Sequence, residues 1–366
     1  MKVLYFSRSY TPHDHRFLTA ITEAGHQAAY LRLEPAAPQS EDRPIPAGVL
    51  QIQWEGAGAA FRWADAPRLA FALRRILREL RPDIVHAGPI QTCAFIAALA
   101  GSHPLLGMSW GYDLVQDAGR SRWWSWVTRH TLKRCDWFVS DAQVSRAAAI
   151  EYGMDPRKVT VFPWGVDLVR FSPMPSDRNE GTFTLFCSRT WEPLYGVDVV
   201  VRAFAQLAPT HPGLGLILLG GGSQAADLRR MLLNAGLLER VYFGGTVPQR
   251  ELPGWYHRAD LYLSASHVDG SSVSLMEALA CGLPVLVSDI PGNREWVREG
   301  ENGWLFRDGD AGDLAAKILK ACENRQMLPE MGRRARLDVE ARADWKKNAA
   351  VLMQTYDSVL ALKGRP

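Results

Sequence analysis

The 366-residue sequence predicts an α/β protein of two doubly wound, Rossmann-like parallel-sheet domains. Three observations predict it. Short apolar runs alternate with helix-length amphipathic segments, the pattern of βα units. The alternation stops at Ser172–Gly181, "SPMPSDRNEG", a stretch rich in Pro, Ser and charge, and then restarts. The chain is also too long for one ordinary core.

In the first half, strands are expected at "KVLYFS" from Lys2, Ala28–Leu33, "DIVHAG" from Asp83, "LLGMSW" from Leu105, "WFVSD" from Trp137 and "VTVFP" from Val159. Helices fit Phe17–Ala24, Trp63–Leu80, Thr92–Ala100, Trp123–Cys135 and Gln143–Tyr152. In the second half, strands are expected at "FTLFCS" from Phe183, "GLILLG" from Gly215, "VYFGG" from Val241, "LYLSAS" from Leu261 and "PVLVSD" from Pro284. The helices there are Gly196–Ala208, Gln224–Ala235, Glu251–His257 and Val273–Ala280, with a mostly helical tail. The expected organisation is a first domain over 1–171, a linker over 172–182, a second domain over 183–342, and a helix over 343–366 returning to the first domain. Ligands of such sheets bind beyond the strand C-termini, here expected where the two halves face each other across a cleft.

Composition excludes several classes. Hydrophobic residues make up 47% and charged residues 22%, so the chain is globular. A net charge of +3 argues against a nucleic-acid partner. The 5 scattered cysteines form no disulfide or zinc framework and fit a reducing compartment. "MKVLYFS" lacks the apolar core of a signal peptide, and Ile90–Met108 is broken by Gly101, His103 and Pro104. The expectation is a cytoplasmic protein.

The densest chemistry lies in "DGSSVSLMEALACGLPV", Asp269–Val285. A turn at Gly270, Ser271 and Ser272 leads into a helix from Val273. Unpaired amides and the helix dipole make such a start suited to phosphate. Glu277, one turn in, can accept from two adjacent hydroxyls, as on a ribose. The plainer alternative makes Asp269 a capping acid and Glu277 a solvated helix residue.

In its wider setting, "SASHVDGSSVSLMEALACGLPVLVSDIPGNREWV" resembles the signature of the retaining, family-four glycosyltransferases of the GT-B fold. Their two glutamates, with seven residues between, correspond here to Asp269 and Glu277. The resemblance implies that Glu277 holds the nucleotide ribose, that Asp269 contacts the donor sugar, and that Ser271–Val273 face the diphosphate. "VFPWGVDLVRF" is similar to the family segment leading into the linker, with Trp164 where Asn is usual. "GGGSQAADL", containing Gly221, resembles the family's Gly-rich loop. "VYFGGTVPQRELPGWYHRADLYLSAS" resembles the next block, in which Gly245 and Thr246 would lie beside the base.

Departures accompany the matches. In "SRTWEPLYGVDVVVRAF", Arg189 stands where the family has a phosphate-binding arginine, but Tyr195 replaces its lysine. Arg294 is either the second cation or a solvated residue. In "SWGYDL", Trp110 replaces a histidine, so no proton shuttle exists there, and Asp113 is a candidate to orient an acceptor hydroxyl. The first loop, "SRSYTPHDHRF", lacks the family's glycines. Its Arg8, His13 and His15 either contact an acceptor or form a polar surface loop. No metal site is expected from "HDH". His86, at a strand end, either reaches the cleft or is structural. The Trp- and Arg-rich stretch Gly119–Phe138 either lies against a membrane or fills the core.

The expectation is a retaining transfer from a UDP- or GDP-sugar to a sugar or lipid-linked acceptor, with no cofactor. The setting would be polysaccharide or glycolipid synthesis, at the cytoplasmic membrane face if the protein is peripheral. A nucleotide-sugar epimerase and a non-catalytic nucleotide-sugar-binding scaffold remain as alternatives.

Overall fold

The computed structural model describes residues 1–36, 41–54, 60–174 and 181–363. It divides into two compact units, one of Met1–Pro163 with Lys346–Pro366, the other of Trp164–Trp345.

The first unit holds strands β1 (Lys2–Ser7), β2 (Gln27–Arg32), β3 (Leu50–Ile52), β4 (Ile84–Ala87), β5 (Leu105–Met108), β6 (Trp137–Ser140) and β7 (Val159–Val161). They form a 7-stranded sheet in the order β3-β2-β1-β4-β5-β6-β7, and every pairing is parallel. The second unit holds β8 (Phe183–Cys187), β9 (Leu214–Leu219), β10 (Val241–Gly245), β11 (Leu261–Ser264), β12 (Val285–Ser288) and β13 (Gly303–Phe306). Their order is β10-β9-β8-β11-β12-β13, again all parallel. Burial on both faces explains why these strands read as continuous apolar runs and not as alternating ones. The edge strands β3 and β13 were not expected from sequence. β3 is 3 residues long.

Each strand order reverses once, between β1 and β4 in the first unit and between β8 and β11 in the second. In a doubly wound sheet the loops leaving the strands diverge at such a point and open a crevice.

The boundary between units precedes the one expected at 171/172. Val166 pairs with Asp344, and its N–H donates to the Ala343 carbonyl at 2.8 Å. Phe171 is buried among Leu275, Met276 and Leu279. Apolar packing therefore assigns 164–171 to the second unit, although composition alone places the break later. Of the expected linker, residues 175–180 lie outside the described residues. Near the C-terminus, Asn348 Nδ2 donates to the Pro163 carbonyl at 2.9 Å, within the first unit.

Candidate functional site

The donor residues expected in the second unit all stand at the C-terminal edge of one sheet. Arg189 follows β8, Gly221 follows β9, Gly245 ends β10 with Thr246 after it, Asp269–Ser272 follow β11, and Arg294 lies beyond β12. Gly220 N–H donates to the Gly245 carbonyl at 2.7 Å, tying two of these turns together.

The helix Val273–Ala280 starts where its sequence dictates. Ser272 is its N-cap, with extended backbone and a hydroxyl accepting from Leu275 N–H. Leu, Met, Glu and Ala sustain it. It ends before Gly282, whose φ of +67° suits a left-handed cap. The preceding loop is pressed onto the segment after β12. A Cβ on Gly292 would stand 2.5 Å from the Asp269 carbonyl and closer still to that of Gly270, so only glycine fits.

Arg189 and Asp269 form the centre. One Nη of Arg189 donates to the Asp269 carboxylate at 2.8 Å. The other donates to Ser272 Oγ at 2.8 Å and Ser274 Oγ at 3.1 Å. The side chains are only 12% and 16% exposed, so solvent screens this pair poorly. The Nε of Arg189 is buried with no protein partner among the described residues. Burial works against the guanidinium charge most strongly, but Asp269, with Tyr195, Tyr262 and Cys187 adding to it, outweighs it and holds Arg189 above the ordinary arginine range. The guanidinium also lies 4.3 Å from the ring centre of Tyr195. Tyr195 therefore meets the arginine with its π face and adds no second charge.

Glu277 is buried, which removes the solvated-helix alternative. Tyr256 donates its hydroxyl to Glu277 Oε2 at 2.9 Å. Burial, then Glu277, pushes the Tyr256 phenol well above its usual value, so it stays a proton donor. Tyr262 donates to Ser274 Oγ at 2.8 Å. The Trp296 indole donates to Ser271 Oγ at 3.2 Å. Sequence reasoning missed Tyr256, Tyr262, Ser274 and Trp296. Ser274 was legible, since it lies three positions before Glu277 on the same helix. The aromatic residues read as ordinary core.

Arg294 does not join this cluster. Its fork closes on Asp289, with Nε–Oδ1 2.5 Å and Nη2–Oδ2 2.9 Å, and its side chain is largely exposed. The solvated alternative describes it better.

The residues expected in the first unit separate. Asp113 is buried in a bonded turn and is not presented to an acceptor. Its carboxylate accepts from Ile90 N–H at 3.0 Å, Ser109 Oγ at 2.6 Å, Trp110 N–H at 3.0 Å and Leu114 N–H at 3.1 Å. Burial pushes it up to about 6 against these bonds. Its role is to hold the turn. His86 is likewise a core residue. It is fully buried, its Nδ1 lies 2.8 Å from the Tyr356 hydroxyl, and Tyr5 and Phe17 pack edge-on against its ring. Burial lowers it to about 3, keeping it neutral.

Arg8 is half exposed and donates to Glu34 at 2.8 Å. His13 packs against Trp110, ring centres 5.0 Å apart, and burial lowers it to about 3. His15 shares a 2.8 Å hydrogen bond with the Tyr10 hydroxyl. The first-loop residues thus stand near the C-terminal end of β1, each engaged within its own unit.

Comparison with known proteins agrees with this geometry. A family model for "Glycosyltransferase Family 4" matches residues 13–170, and one for "Glycosyl transferases group 1" matches 171–338. The chain is 25% identical to glycogen synthase of Mycobacterium tuberculosis, over 97% of this chain and 94% of that protein. Its fold is similar to that of sucrose-phosphate synthase from Thermosynechococcus elongatus (TM-score 0.82, 18% identity, 99% of this chain and 100% of that one). HepE of Anabaena, solved in complex with UDP-glucose, has the same fold (TM-score 0.77, 19% identity, 98% of this chain and 100% of that one). Both family models, together covering residues 13–338, and the parallel architecture lead to one conclusion: the chain is a glycosyltransferase and belongs to the group 1, family 4 enzymes of the GT-B fold.

Proposed function

We propose that the chain transfers a sugar from a nucleoside-diphosphate sugar to an acceptor hydroxyl with retention at the anomeric carbon. One observation carries the reading: a buried arginine, a helix start and a buried helix carboxylate converge at the strand-order reversal of the second sheet.

In this reading Glu277 accepts hydrogen bonds from the ribose hydroxyls, its carboxylate steadied by Tyr256. Arg189 and the amides at the start of Val273–Ala280 meet the diphosphate. Asp269 positions Arg189 and also faces the donor sugar. As the bond from the anomeric carbon to the diphosphate breaks, negative charge grows on the phosphate oxygen. That oxygen then takes the proton of the attacking acceptor hydroxyl on the same face. No first-unit histidine is needed as a base, which accommodates Trp110 and the buried His86. The reading assigns no resident cofactor. The UDP-glucose complex of HepE supports a UDP-sugar before a GDP-sugar. The acceptor is assigned to surface polysaccharide or glycolipid synthesis, with the chain peripheral on the cytoplasmic membrane face.

The test is turnover of a UDP- and GDP-sugar panel with free and lipid-linked sugar acceptors, followed by NMR of the new linkage. Retained configuration supports the reading. Inverted product, or donor altered with no transfer to any acceptor, overturns it.

A further inference from the structure

The Gly-rich turn 220–223 leaves β9, one strand away from the strand-order reversal, and runs beside the segment that carries Arg189. Its three consecutive glycines have more backbone freedom to lose than any other residue type, so the turn keeps one shape only where neighbours hold it. Gly222, at φ +156°, has no room for a side chain. A Cβ there would stand 2.5 Å from the Trp191 carbonyl oxygen and 2.7 Å from Glu192 Oε1.

Trp191 and Glu192, adjacent in sequence, hold this turn. Trp191 N–H donates to the Gly221 carbonyl at 2.9 Å, and the Trp191 carbonyl accepts from Gln224 N–H at 3.0 Å. The buried indole donates to the Leu219 carbonyl at 3.0 Å. Glu192 holds the far end: its Oε1 accepts from Ser223 N–H at 2.8 Å and its Oε2 from Ser223 Oγ at 2.5 Å. The Ser223 hydroxyl, then the Ser223 N–H, keep the Glu192 carboxyl below its usual range, so it is ionised at neutral pH. The same segment is tied on its other side, where His267 N–H donates to the Leu194 carbonyl at 3.0 Å. Residues 189–196 therefore bridge the exits of β9 and β11, across the reversal at β8.

Trp191 belongs to the core of the second unit, but Glu192 is partly exposed and Ser223 is exposed. Their contact is therefore not needed to fill the core. A carboxylate so close to Arg189 in sequence also works against an anionic donor. Charge-assisted bonds to an N–H and a hydroxyl offset that repulsion, because they are stronger than neutral ones. We propose that Glu192 is a positioning residue for donor binding. Through Ser223 it sets the Gly-rich turn against the Arg189 segment before the nucleotide arrives, so the ordering cost of three glycines is not met at binding. The proposal rests on the nucleotide-sugar reading of this site.

The experiment is calorimetric titration of the intact chain with UDP and GDP, together with donor kinetics and thermal scans, on the parent, Glu192→Ala, Ser223→Ala, the double variant and Glu192→Gln. Glu192→Ala is expected to weaken nucleotide binding and raise donor KM by ~5-fold, with kcat within about twofold of the parent. Ser223→Ala has a smaller effect of the same sign, since its N–H remains. The double variant binds no more weakly than Glu192→Ala, because both changes break one contact. Glu192→Gln restores parent affinity, since its amide can accept from the N–H and donate to the hydroxyl. Three results would overturn the proposal: Glu192→Ala binding nucleotide as tightly as the parent or more tightly, whatever its melting temperature; additive losses in the double variant; or no rescue by Glu192→Gln. A parent that binds neither nucleotide would overturn the donor reading itself, and this assignment with it.

Discussion

The guanidinium of Arg189 and the carboxylate of Asp269, 80 positions apart in sequence, meet at 2.8 Å at the strand-order reversal of the second sheet. Both are mostly shielded from water, and Ser272 and Ser274 hold the other Nη of the arginine. A long, flexible side chain is thereby fixed before any donor arrives, which reduces the ordering cost of binding. Removing it should slow transfer sharply: Arg189→Ala lowers kcat by about 100-fold or more, with far-ultraviolet circular dichroism unchanged. A loss under threefold in single-turnover assays would separate this arginine from the leaving group.

The length of the acid follows from the same contact. Asp269→Glu adds a methylene and pushes Arg189 off Ser272 and Ser274. We expect about tenfold lower kcat with little change in donor KM. Faster turnover with the true donor would show that the shorter acid is a compromise instead.

The Tyr256–Glu277 bond predicts a different kinetic pattern. Tyr256→Phe leaves a buried carboxylate oxygen without one of its donors and raises donor KM by about tenfold, with kcat less affected. Steady-state kinetics on the donor separate the two. A fall in kcat at constant KM would place Glu277 at the reacting atoms and away from the ribose.

Tyr195 stacks on Arg189 where the resemblance leads one to expect a lysine. Tyr195→Lys brings a second cation beside a poorly solvated first one. The nucleotide-free variant should melt roughly 5 °C lower, and UDP or GDP should raise its melting temperature more than that of the parent. Equal nucleotide-induced shifts in a thermal scan would show that the diphosphate does not reach this pair.

His86 gives a pH signature. Its folded value, about 3, lies below the unfolded value near 6.5, so the unfolded chain binds the proton preferentially. Stability present above pH 6.5 is therefore lost progressively as pH falls towards 3. The raised Asp14 and Asp113 carboxyls, each at about 6, act in the opposite sense, so the comparison must be with a variant. Between pH 7 and pH 5, His86→Phe should lose about 2 kcal/mol less stability than the parent. Hydrogen exchange of β1 amides at the two pH values measures this in the first unit alone. Parallel losses would mean that His86 is protonated in the folded chain.

Most strands and helices were legible because doubly buried parallel strands and amphipathic helices leave different periodicities. The exceptions have physical reasons. Strand β3 is too short to leave a period. The second compact unit begins ahead of the expected linker because the pairing of Val166 with Asp344 is long-range. At the site, Glu277 stood out as a carboxylate in an apolar helix, and burial confirms that it is not a solvated residue. Its partner Tyr256 did not stand out, because a buried tyrosine reads as core until its hydroxyl is placed. Asp113 was misread for the converse reason, and His86, left open between cleft and core, lies in the core. Each is polar at a strand end or loop, yet each is buried and bonded inside its own unit. Trp123 and Trp126 were left open between core and surface, and about half of each proves exposed.

The central claim is that nucleotide binds in the second unit, with ribose on Glu277 and diphosphate on Arg189. Calorimetric titration of the intact chain and of Glu277→Ala and Arg189→Ala with UDP and GDP tests it most directly. The account predicts saturable binding of one nucleotide by the parent, weakened by about 30-fold or more in each variant. Unchanged affinity in both variants, or no binding of either nucleotide by the parent, would contradict it.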